Sequence, residues 1–192
     1  MKLVLASSSP RRRELLQNMG LELQIVSPEC EEIMDAAMEA GELVKKLSAE
    51  KARDVEKRTG SDSFIVAADT VVVIDGEILG KPADEAEAAE MLRKLSGRAH
   101  TVFTGVALLK GGTLLSDFEQ TRVFFGPLSE RKISAYIKSG EPMDKAGAYG
   151  AQGIGSVFIE KIDGDFFNVM GLPLYLLAKM FEKMGVSLIE QI

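Results

Sequence analysis

Two β-forming runs, Val71 to Ile74 and Ile78 to Leu79, flank the pair Asp75-Gly76. An Asp-Gly pair between such runs favours the tight turn whose central residues both need positive φ, so it predicts an antiparallel hairpin. Lys110-Gly111-Gly112 stands in the same way between Val102 to Leu109 and Leu114 to Phe125. Hairpins exclude a purely parallel sheet. Around them, strand and helix patterns alternate. Lys2 to Ala6 reads as a short buried strand and Pro10 to Met19 as a helix, with Ser9 in the capping position, Pro10 in the first turn and Gly20 as the stop. Leu23 to Val26 reads as a strand and Glu42 to Arg58 as a long amphipathic helix. Phe64 to Ala68 reads as an apolar strand ending at Asp69. Glu85 to Leu95 opens on a capping-box spacing of Asp84 and Glu87. Ser129 to Lys138 and Leu172 to Met184 are predicted helices, with a strand at Val157 to Ile162 between them. The fold class is therefore α/β with a mixed sheet.

The chain has 192 residues, 46% hydrophobic and 27% charged, as expected of a globular protein. It holds one cysteine, Cys30, and one histidine, His100. Intrachain disulfides, thiolate clusters and multi-histidine metal sites are thereby excluded. Catalysis is expected to run on carboxylates, lysines, arginines and a hard metal ion. A net charge of −6 argues against a general nucleic-acid binder and leaves room only for a local cationic pocket. No apolar run approaches the roughly 20 residues of a membrane span. The apolar stretch Leu3 to Ala6 is far shorter than the roughly 7–15 residues of a signal core, so a cytoplasmic location is expected.

Several segments carry chemistry. Ser7-Ser8-Ser9-Pro10-Arg11-Arg12-Arg13 lies at a strand-to-helix junction, where free backbone N–H groups and the helix dipole suit an anion. Arg11 precedes Leu15 by four residues and Arg12 precedes Leu16, so both face inward, whereas Arg13 aligns with Gln17 and faces solvent. A solvated basic first turn is the alternative, although cations there oppose the dipole. In the helix at 42–58, Lys51 falls on the apolar stripe of Val44, Leu47 and Val55. Spacing alone leaves open whether it snorkels to water or is held by anions. Asp69-Thr70 at a strand end suits metal or base work, with turn capping as the alternative. Lys81 sits in Gly80-Lys81-Pro82, a stiffened loop that permits close approach. Glu29, Glu31 and Glu32 offer a metal carboxylate or form an acidic surface loop. The small-residue run from Asp144 to Gly153, with Gln152, suits a planar ligand or a tight corner. His100 is expected to pack or cap, and Cys30 to be inert.

Taken together, these segments resemble the Maf family of nucleotide pyrophosphatases, with its septum-formation-inhibitor Maf-like members. Ser7-x-Ser9-Pro10-Arg11-Arg12, Glu31-Glu32, Ser48-Ala49-Glu50-Lys51-Ala52, Ala68-Asp69-Thr70 and Gly80-Lys81-Pro82 follow its order. Ser96-Gly97 with His100, Thr104-Gly105, Gly140-Glu141-Pro142 to Gly153, and Asn168-Val169-x-Gly171-Leu172-Pro173 complete it. Glu31 stands where many members have Asp. The resemblance implies one domain over 1–192, two α/β lobes around a cleft on an elongated mixed sheet, and frequent homodimers. It implies hydrolysis of nucleoside triphosphates between the α- and β-phosphates with Mg2+ or Mn2+, in house-cleaning of nucleotide pools, and neither nucleic acid nor membrane as partner. Asp69, Lys51, Lys81 and Glu32 are the implied catalytic residues, with Glu32 and Asp69 on the metal. Ser7, Ser9, Arg11, Arg12, Thr70 and Gln152 are the implied substrate contacts. Arg12, Thr70 and Gln152 match the branch acting on dTTP, UTP and modified pyrimidine nucleotides, not the 7-methyl-GTP branch. A non-catalytic nucleotide-binding regulator of cell division is the rival reading.

Overall fold

The computed structural model describes residues 1–35 and 37–191. Among them the chain forms β1 (Leu3–Ala6), α1 (Pro10–Asn18), β2 (Gln24–Ile25), α2 (Ala40–Thr59), β3 (Phe64–Ile74), β4 (Glu77–Leu79), α3 (Glu85–Leu95), β5 (Ala99–Lys110), β6 (Thr113–Phe125), α4 (Glu130–Ile137), β7 (Ile159–Asp163), α5 (Phe166–Met170) and α6 (Leu174–Lys183). The strands join in the order β2-β1-β3-β5-β6-β7, with β4 on β3. Pairing is parallel between β1 and β2 and between β1 and β3, and antiparallel between β3 and β4 and between β6 and β7. The sheet is mixed, as the hairpins require.

Two compact units divide the chain. Unit 1 comprises Met1–Asp69, Thr104–Glu119 and Gly171–Ile192; unit 2 comprises Thr70–Phe103 and Gln120–Met170.

In unit 1 the parallel register sets Leu3 opposite Phe64 and Ala6 opposite Ala67. Side chains alternate along a strand, so Ile65, Ala67 and Asp69 share one face of β3. Helix α2 covers that face. Ala49, Ala52 and Val55 pack with Val4, Ala6, Ile65, Ala67, Ala107 and Leu109 in one buried cluster. Small residues let the helix come close. A Cβ on Gly105 would stand 2.2 Å from the Val44 carbonyl oxygen, so only glycine fits at this crossing. Leu43 and Leu47 are fully sequestered, each worth on the order of 1.5–3 kcal/mol over an exposed side chain.

In unit 2, Asp75 (φ 52°) and Gly76 (φ 78°) close the β3–β4 hairpin, with Ile74 opposite Glu77. Helix α3 begins as its sequence predicts: Asp84 accepts from the Glu87 N–H at 2.8 Å, and the Glu87 carboxylate accepts from the Ala83 N–H. Its inner face (Ala88, Leu92, Leu95) packs on Val102, Val123, Phe125 and Ile133.

Two expectations change. Strand β3 does not end at Asp69 but runs on to Ile74, so Asp69 lies inside a strand. The β-branched run Val71 to Val73 carries extended backbone straight through the polar pair Asp69-Thr70. Ser9 occupies the N-cap position of α1, yet its side chain makes no cap bond. Instead, the Ser9 N–H donates to Ser7 Oγ at 3.1 Å.

Candidate functional site

Because Asp69 shares the face of β3 that α2 covers, it meets the one charged residue on the helix's apolar stripe. Lys51 Nζ donates to Asp69 Oδ1, and both residues are 6% exposed. The same ammonium pairs with Glu32 Oε1 at 2.8 Å. Of the two fates that spacing left open for Lys51, being held by anions is the one observed.

Glu32 sits in the segment between β2 and α2, and α2 itself anchors that segment. Asp54, three residues after Lys51, accepts from the Glu29 N–H at 2.8 Å. Arg58, one turn further on, donates to Asp54 (2.8 Å), to the Ser27 carbonyl (2.8 Å) and to Glu29 Oε1 (2.9 Å). The Glu29 N–H bond, with burial opposing it and Arg58 adding to it, holds the Asp54 carboxyl below its ordinary pKa. These anchors had no sequence signal beyond an i,i+4 acid–base pair. Glu31 is exposed, as is Glu29, which serves as an anchor. Cys30, beside them, has its thiol pushed up, chiefly by burial and then by Asp54, so it remains a thiol as expected.

Helix α1 contributes the arginines. Arg11 and Arg12 are half-buried and Arg13 is exposed, as their spacing predicts. Arg12 is braced: its Nε donates to the Gly171 carbonyl at 2.7 Å and a terminal nitrogen donates to Ser7 Oγ at 3.4 Å. Burial lowers the Arg12 pKa, Asp69 and Glu32 oppose that shift, and Arg11 adds to it. Arg12 thus feels the charge of both Asp69 and Glu32. The two buried charges, Lys51 and Asp69, pair with each other, which is the condition for keeping charge in a poorly hydrated place, and Glu32 joins them from a side chain that is 46% exposed.

Glu32 and Asp69 are the two carboxylates beside Lys51 that could hold a small metal ion. Two hard carboxylates suit Mg2+ or Mn2+, which keep waters and take phosphate oxygens as further ligands. Among the described residues no group of three or more His, Cys, Asp or Glu could hold a metal by itself.

The remaining predicted residues lie in unit 2. Thr70 follows Asp69 in β3 and is half-buried; Lys81 and Gln152 are exposed. The Gly80 carbonyl ahead of Lys81 accepts from the Gly147 N–H at 3.0 Å. Gly147 has φ 68° and its Cβ would stand 2.9 Å from the Val72 side chain, so the small-residue run is at that point a tight corner. His100 lies within β5 and packs edge-on against Phe125 and Tyr149, its Nε2 2.8 Å from the Tyr149 hydroxyl.

An α/β protein with arginines at a strand-to-helix junction, beside a lysine held by two carboxylates, has the parts of a site for phosphate-bearing ligands. Residues 2–184 match the family described as Maf, Maf-like protein, and the chain belongs to that family. It is 47% identical over 194 residues to the dTTP/UTP pyrophosphatase of Caldicellulosiruptor saccharolyticus, covering 98% of each chain. It is 50% identical over 184 residues to the dTTP/UTP pyrophosphatase of Symbiobacterium thermophilum, covering 96% of this chain and 94% of that one. The solved Ham1 protein of Staphylococcus aureus is similar in fold, with a TM-score of 0.54 at 13% identity over 96% of this chain and 100% of that one.

Proposed function

We propose that the protein is a nucleoside triphosphate pyrophosphatase that hydrolyses dTTP and UTP to the monophosphate and pyrophosphate. The observation that carries this reading is Lys51, buried in a helix's apolar stripe and held between Asp69 and Glu32. A core gains nothing from such an arrangement, and a phosphate-cleaving site can use it. Curated relatives named dTTP/UTP pyrophosphatase, at 44–50% identity over nearly the whole chain, support the nucleotide class.

The reaction is an in-line displacement. Water attacks the α-phosphorus, the bond to the bridging oxygen of the β-phosphate breaks, and Asp69 takes the proton the water gives up. Ser7, Ser9 and Arg11 bind phosphate oxygens beside the start of α1, and Arg12 and Lys51 meet charge developing on the departing pyrophosphate. In unit 2 the family pattern makes Lys81 a catalytic residue and Thr70 and Gln152 substrate contacts. Arg11, Arg12 and Lys51 against Asp69 and Glu32 leave a surplus of one positive charge, too little to offset a triphosphate, so the substrate is expected to arrive with a cation. Mg2+ or Mn2+, held by Glu32 and Asp69, would supply that charge at the phosphate oxygens. Incubating the purified protein with a panel of triphosphates and either metal tests the reading. Monophosphate plus pyrophosphate, with dTTP and UTP preferred, is expected; diphosphate plus orthophosphate, or no turnover, overturns it.

A further inference from the structure

Between α4 and β7, residues 140–158 run through three short 3-10 turns, Glu141–Asp144, Ala146–Ala148 and Ile154–Phe158. One carboxylate organises them. Glu141 Oε2 accepts from the Ile154 N–H at 2.8 Å, and Oε1 accepts from the Gly155 N–H at 3.0 Å. The Tyr136 hydroxyl donates to Oε1 at 2.8 Å and in turn accepts from the Gly150 N–H at 3.0 Å. Lys145 Nζ donates to the Glu141 carbonyl at 2.6 Å. The backbone wraps this group so closely that a Cβ on Gly153 would stand 2.3 Å from Glu141 Oε2, and one on Gly155 2.7 Å from the Tyr136 oxygen. Gln152, immediately before Gly153, sits exposed at the rim of that turn.

We propose that Glu141 is a positioning residue for base selection, holding the 152–155 turn in the one shape that presents the Gln152 amide to the nucleobase. The proposal rests on the pyrophosphatase reading above. The requirement is for a carboxylate in particular. All three donors point at oxygens that only accept, whereas a glutamine would turn an NH2 toward one of them. Burial opposes ionisation of Glu141, yet the Gly155 and Ile154 N–H groups and the Tyr136 hydroxyl bring its pKa below the ordinary value. The carboxylate therefore keeps its three donors at neutral pH.

The test measures, by calorimetry, the Kd of non-hydrolysable α,β-imido analogues of dTTP and dATP and of inorganic tripolyphosphate. Wild type, E141Q, Y136F and Q152A are compared. E141Q is expected to lose roughly tenfold in affinity for the dTTP analogue and to narrow the dTTP-to-dATP ratio by a similar factor, while tripolyphosphate binding stays within about twofold. Y136F, which keeps the carboxylate and both backbone bonds, moves the ratio the same way by less. Equal weakening of all three ligands, or a lowered Tm with an unchanged ratio, marks a merely structural residue and overturns the proposal. If E141Q does not fold, the ratio in Y136F decides in the same manner. Q152A removes the group being positioned, so an unchanged ratio in that variant also overturns the proposal. Wild-type turnover is scored separately: selective binding without pyrophosphate release sinks the enzyme reading and leaves the Glu141 outcome readable.

Discussion

Unit 1 and unit 2 both bury ionisable side chains, but unit 1 holds an ion pair and unit 2 a neutral pair. In unit 1, Lys51 and Asp69 remain an ion pair at 6% exposure, joined by Glu32 and flanked by Arg12. In unit 2 the buried polar groups His100 and Tyr149 bond to each other among Phe125 and Phe158. Burial pushes the imidazole down to about 4 and the Tyr149 phenol up, so both stay neutral at physiological pH. A neutral buried pair carries no charge to offset, although His100 Nδ1 is buried without a hydrogen-bond partner among the described residues. Opposed charges kept out of water cost stability that apolar residues of equal volume would not, and their retention points to use. The difference separates a region built for a charged ligand from one built for shape.

The sharpest way to break that contrast is Asp69→Asn. The substitution keeps size and polarity but removes the base, and turnover should fall on the order of 10²–10⁴ while nucleotide binding persists. Paired kinetics and equilibrium binding check it, and a variant with full turnover would return Asp69 to a structural role. Lys51→Met is next. The chain should still fold, and the rate should drop on the order of 10²–10³ through loss of one preorganised donor. Circular dichroism with a pyrophosphate assay separates loss of turnover from loss of fold.

For unit 2 the expected readout is stability, not rate. His100 binds its proton with a pKa of about 4 when folded and about 6.5 when unfolded. The unfolded chain therefore takes up more protons between those values. The His100 contribution is fully present above pH 6.5 and is lost as pH falls toward 4, amounting to roughly 3 kcal/mol at most. Denaturant melts across that window should show the slope in wild type and a flatter curve in His100→Gln. The smallest effect sharpens the assignment within α1. Arg13→Ala should change kcat/KM by less than about twofold, against roughly a hundredfold for Arg12→Ala. Equal losses would mean the inward and outward faces of the helix are misassigned.

What the sequence made legible was local. Asp75-Gly76, Gly111-Gly112, the Asp84–Glu87 box and the stripe carrying Lys51 each encode their geometry within a few residues, and each is observed. Strand β3 was read as two pieces because Asp69 and Thr70 interrupt its apolar pattern, while strand pairing, a long-range property, carries the backbone through them. Lys51 was ambiguous because its partners lie 18 residues away on a strand and 19 residues back in a loop. Glu141 gave the least sign of its role. Its two backbone donors come 13 and 14 residues later. The available hint was a glycine-rich stretch whose N–H groups needed an acceptor from elsewhere.

The bond from Arg12 to the Gly171 carbonyl joins residues 159 positions apart. Unit 1 is likewise stitched from the beginning, middle and end of the chain, whereas unit 2 is complete by Met170. On the ribosome, a nascent chain that has not yet emerged beyond Gly171 lacks the carbonyl that accepts from Arg12 Nε. Full competence is thus withheld until translation has passed that glycine, so truncated products of this message would lack one brace of the phosphate-binding arginine.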